Sequence, residues 1–168
     1  MPGRVYPSPA MSPTLVRFGR WAVRAEPERT RSAYADRVSA TSRCGCNICK
    51  NYEAVRDDVF TAAARDLLEQ LGVDYRRESE MVHSHRIARG RHAYDGWFHL
   101  FGAIESGRDA YVPRGELFAR ELEPITEELS LGFTTRVRGA APPFDEGAVL
   151  QLEVAVIAPW VLDIEEPS

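Results

Sequence analysis

The apolar residues Ile48, Tyr52, Val55, Val59, Ala63, Leu67 and Leu71 recur at steps of three and four, and Phe60, Ala64 and Leu68 widen the stripe they make. That interval keeps one helical face against a core and is incompatible with a strand, whose side chains change face at every residue. The spacing predicts a helix over 47–71. Gly72 stands where a left-handed residue would end it, and Asp57 or Asp58 offers a cap if the run divides near Arg56–Asp58.

Strand signals surround this helix. Thr14–Arg24 alternates loosely and reads as a first strand, followed by a polar connector over 26–43 with a short helix around Ser32–Val38. The arms Ser79–Ala88 and Arg91–Ile104 flank Arg89-Gly90 and predict a β-hairpin. On its second arm Trp97, His99 and Phe101 fall on one face, with Phe98 and Leu100 on the other. Leu117–Leu122 reads as a short amphipathic helix, and Leu131–Arg138 and Val149–Ala158 as two further strands joined by a long loop. In the last strand Leu150, Leu152, Val154 and Val156 share one face and Gln151 and Glu153 the other, the pattern of a half-buried antiparallel strand. The expected fold is α+β, an antiparallel sheet of about four to five strands with one long helix packed on a face. A chain of 168 residues needs only one such domain, placed at 13–162 between a Pro-rich flexible N-terminal segment, 1–12, and an acidic tail, 163–168.

The chemistry is concentrated in Cys44-Gly45-Cys46-Asn47-Ile48-Cys49, at the start of the predicted helix. No stretch approaches the roughly 20 apolar residues of a membrane span, and Arg17, Arg20 and Arg24 interrupt the one N-terminal candidate for a signal peptide, so the expectation is a cytoplasmic protein without a membrane partner. In a reducing compartment, closely spaced thiols point to metal binding or redox chemistry. Gly45 allows Cys44 and Cys46 to turn inward, and Cys46 and Cys49 share a face in a helical turn. Three thiolates suit zinc, which needs a fourth ligand. The candidates are His83, His85, His92 and His99, with His83 and His85 expected on the same face of their strand. The same residues support a second reading, in which Cys46 and Cys49 form a thiol–disulfide pair with a thiolate favoured by the helix N-terminus. A third treats the cysteines as small apolar side chains.

Other classes find less support. Residues 1–50 carry nine basic and three acidic side chains, but the arginines are scattered and form no compact patch, so nucleic-acid binding is not expected. There is neither a nucleophile-elbow motif nor a glycine-rich phosphate loop.

Cys44–Tyr52 together with Gly96-Trp97-Phe98-His99-Leu100-Phe101-Gly102 and the terminal Pro159-Trp160 resembles a group of uncharacterised bacterial proteins. The resemblance implies no activity and no catalytic residue. It groups the cysteine segment with the strand 97–102. The functional expectation is a small cytosolic protein with a Cys-rich structural zinc site and a binding role. The alternatives are a redox protein using Cys46 and Cys49, or an inhibitor or immunity-type module that presents Trp97 and Phe101 to a protein partner.

Overall fold

Strand β4, Arg91–Ser106, is 16 residues long and organises the rest of the chain. The computed structural model describes residues 12–168, so the segment expected at 1–12 lies outside the described residues except for Ser12. One edge of β4 pairs antiparallel with β9, Val149–Pro159, from Arg91 to Phe101. The other edge is divided between β3, Glu80–Ala88, on its first half and β2, Trp21–Ala25, on its second. Beyond β2 lies β1, Thr14–Phe18, and beyond β9 lie β8, Leu129–Thr134, and β7, Glu123–Pro124. Together they form one antiparallel sheet of seven strands. A separate ribbon of β5, Tyr111–Arg114, and β6, Leu117–Arg120, makes a second sheet of two strands. Four short helices complete the described residues: α1 (Pro27–Tyr34), α2 (Ala40–Cys44), α3 (Asn47–Val59) and α4 (Ala62–Leu71).

This corrects the expected four to five strands and single long helix. The helix divides at Phe60-Thr61, where Phe60 takes ψ 87° and Thr61 an extended ψ of 168° as the N-cap of α4. Arg65 accepts the consequence by donating to the carbonyls freed at Phe60 (2.7 Å) and Asp57. The turn drives the Phe60 ring into the core against Phe98 and Tyr75. Because α4 presents the same face to the core, apolar spacing reads straight through the break. The extra strands have equally local causes. Gly19, at φ 51°, turns the chain so that Phe18 pairs with Trp21, making a hairpin of the stretch read as one strand. Gly115, at φ 62°, does the same between Arg114 and Leu117, so Leu117–Arg120 is extended and not helical. The helix expected at 32–38 instead occupies Pro27–Tyr34, with proline in its first turn.

The two faces of the sheet differ in chemistry. Tyr94 and Phe98 of β4 meet Tyr52 and Phe60 of the helical layer, and Leu150, Leu152, Val154 and Val156 of β9 belong to the same core. On the opposite face, Glu153 is buried at 0% exposure, yet it was expected to face water. Arg138 (2.8 Å), Arg120 (3.3 Å) and the Gln151 amide donate to it, and Arg120 also pairs with Asp95. A buried carboxylate is tolerated only with such partners.

Gly96 lies where β3 and β4 approach most closely: a Cβ there would sit 2.2 Å from the Glu80 carbonyl oxygen and 3.0 Å from Met81 Cα. Gly96→Ala is therefore predicted to cost about 2–3 kcal/mol in urea unfolding, because backbone must shift. Gly90→Asn is the control. It has open space around it and a φ of 72° that asparagine tolerates, so a loss below about 1 kcal/mol is expected.

Candidate metal centre

Cys44, Cys46 and Cys49 occupy three successive structural roles at one corner of the chain. Cys44 is the last residue of α2. Gly45 follows in the left-handed conformation, φ 65°, and its N–H bonds the Thr41 carbonyl at 2.9 Å to close α2. Cys46 is extended and forms the N-cap of α3, and Cys49 sits within the first turn of that helix. A helix end, a glycine and a helix start thus fold three thiols onto one spot. Their sulfurs all lie within 4.8 Å of one another, close enough to hold a metal ion. A tetrahedral zinc with sulfur at about 2.3 Å needs edges of about 3.8 Å, so a small contraction completes the fit.

Two carboxylates fix the corner. Glu78 is fully buried, accepts the Thr41 N–H at 3.1 Å and the Thr41 hydroxyl, and is paired with Arg56 of α3 at 3.2 Å. It lies at the N-terminal end of α2, where a negative charge is stabilised by the free amides. Ser39 caps the same end by accepting the Ser42 N–H. Glu53 of α3 accepts the Ser42 hydroxyl and lies 3.1 Å from the Thr41 hydroxyl oxygen, tying the two helices side by side.

The thiols are not equivalent. Cys44 and Cys46 are exposed, whereas Cys49 is 7% exposed. No amide makes a full hydrogen bond to the Cys46 sulfur, but the nearby Cys49 N–H leads the influences that hold its thiol below the ordinary cysteine value. Burial pushes the Cys49 thiol well up, and the neighbouring thiols add to the shift.

Among the described residues, the group of donors contains these three cysteines and no histidine. His83 Nε2 lies 2.9 Å from His92 Nδ1, and His92 Nε2 donates to Glu166 at 3.0 Å. Burial lowers the His83 pKa. His83 and His85 do not share a face, because the register shifts between them: His83 stands opposite Tyr94, and His85 opposite Ala93. His99 is fully buried, with Nδ1 facing the Ser79 hydroxyl at 3.0 Å and Nε2 donating to the Arg138 carbonyl at 3.0 Å. Of the two aromatics expected to bind, Trp97 lies beneath Arg138, 4.2 Å from guanidinium carbon to ring centre. Phe101, 2% exposed, is enclosed by Arg29 and Phe144.

Asn51 was not singled out from the sequence, although it falls three residues after Ile48 on the buried face of the stripe. Its amide donates to the Tyr94 hydroxyl (3.1 Å) and the Pro159 carbonyl (3.0 Å), and its oxygen accepts the Val161 N–H (2.8 Å). One side chain thereby joins the cysteine helix to β4 and to the segment after β9. That segment is held further on by Glu166, which accepts the Gly90 N–H and pairs with Arg86, each at 2.7 Å.

Comparison with protein-family models, with curated proteins and with solved structures finds no match.

Asn51→Ala is predicted to lower stability by about 1–3 kcal/mol, since it leaves the buried Tyr94 hydroxyl and two part-buried backbone groups, of Pro159 and Val161, without their partner. Hydrogen exchange at the Val161 amide should accelerate more than at the centre of β9. Unchanged stability together with unchanged exchange at Val161 would contradict this role.

Proposed function

We propose that Cys44, Cys46 and Cys49 hold a structural zinc ion that braces the α2–α3 corner, in a small protein whose role is to bind. The observation that carries this reading is the convergence of three sulfurs within 4.8 Å on a corner already fixed by Glu53 and Glu78. Thiolates are soft donors suited to zinc, and an ion shared between the end of one helix and the start of the next adds a cross-link to those that Glu53 and Glu78 already make between α2 and α3. In this reading the protein folds on its own sheet, and zinc adds local order. A binding role for a protein partner is supported by the ribbon, where Leu117 is 75% exposed and Phe118 lies beside it at the surface. No described helix is long and apolar enough to cross a membrane.

A second reading uses the same thiols for disulfide exchange. What favours it is the pairing of an exposed Cys46 at the helix N-cap with a buried Cys49 one turn away, an arrangement of attacking and resolving thiols.

Elemental analysis of protein purified without chelator should find close to one zinc per chain. In Cys49→Ser the ratio should fall at least about tenfold under competition with a chelator, and the melting temperature should drop by several degrees, since about 1 kcal/mol corresponds to 2–4 °C at this size. Metal-free wild type whose three thiols all titrate at once would refute the zinc reading. A reversible Cys46–Cys49 disulfide in that sample would favour the second.

A further inference from the structure

The donor set at the corner has three members, and zinc takes four. The missing donor has few sources in this chain. Residues 1–11 contain no cysteine, histidine, aspartate or glutamate. Among the described residues no histidine lies with the three sulfurs: His92 is bonded to His83 and to Glu166, His99 uses both ring nitrogens against Ser79 and Arg138, and His85 is set on the other face of the hairpin by the register shift. Two of the three cysteines are exposed, and a Cβ built on Gly45, the residue between them, would meet nothing within 4 Å. The outer side of the corner is therefore open to an incoming molecule.

Charge indicates what that molecule should be. Zinc with three thiolates carries one net negative charge, but the surroundings offset it. Arg43 and Lys50 adjoin the cysteines in sequence and the amides at the start of α3 add partial positive charge, while of the two carboxylates at the corner Glu78 is paired with Arg56 and Glu53 accepts the Ser42 hydroxyl. An anionic fourth ligand is accommodated, and a soft donor set favours a soft one.

Resting on the zinc reading above, we propose that the fourth position is filled by an exogenous thiol, bound as its thiolate. The step is a ligand exchange: the thiol sulfur forms a bond to the metal, a bound water leaves, and the thiol proton passes to solvent, with no change in oxidation state. The binding role would then belong in part to the metal itself, with a small thiol as its ligand.

Cobalt(II) in place of zinc makes the coordination visible. With one cobalt bound per chain, adding 2-mercaptoethanol should shift the ligand-field bands and raise the thiolate-to-cobalt charge-transfer absorbance by about one third, the ratio of four thiolates to three. A spectral change on raising protein concentration without added thiol, accompanied by a dimer in sedimentation, would show the position filled by a bridging cysteine of a second copy and would overturn the exogenous thiol. Stoichiometric cobalt with a spectrum unmoved by either treatment would overturn the open position and leave the metal reading standing. Failure to bind cobalt or zinc at all would overturn the metal reading itself.

Discussion

Pairing along β4 is the constraint from which the rest of the molecule takes its position. Eleven of its residues, Arg91–Phe101, are in register with β9, while the opposite edge is shared by β3 and β2. Both halves of the cysteine corner are referred to this strand. The Ser79 N–H bonds the Trp97 carbonyl at 2.9 Å, which sets Glu78 and, through it, the start of α2 that ends in Cys44. Tyr94 meets Asn51, which sets α3 and its two cysteines. Two separate chains of hydrogen bonds run from one strand to three thiols, so the sulfurs meet because the sheet has already formed.

Much of this was legible in the sequence, and the failures have identifiable causes. The β3–β4 hairpin and the pairing of the last two long strands follow from alternation and turn residues, which act over short distances. Helical periodicity located the buried face of α3 and α4, but the break, expected if at all near Arg56–Asp58, falls at Phe60-Thr61, because the stripe keeps its facing across it. The Gly19 and Gly115 turns each divided a segment that composition alone had left whole. Gln151 and Glu153 matched a solvent-facing pattern, and only partners from distant positions, Arg120 and Arg138, make their burial tolerable. Such pairings are tertiary facts with no local trace.

At the corner, the spacing of Cys44, Cys46 and Cys49 was enough to place three donors together, and the structure does so. The surrounding supports were not legible. Glu78 is 34 residues beyond Cys44 in the chain, and Asn51 looks like a polar interruption of an apolar face until Tyr94, Pro159 and Val161 are seen around it. Of the histidines, His92 and His99 use both ring nitrogens in hydrogen bonds, and among the described residues none of the four joins the group of donors.

The central claim is that the corner binds zinc through the sulfurs of Cys44, Cys46 and Cys49. X-ray absorption at the zinc edge, recorded on the zinc-loaded protein, tests it most directly because it counts neighbours by element and distance. At least three sulfur neighbours at about 2.3 Å are predicted. A shell composed only of nitrogen and oxygen at about 2.0–2.1 Å would contradict it.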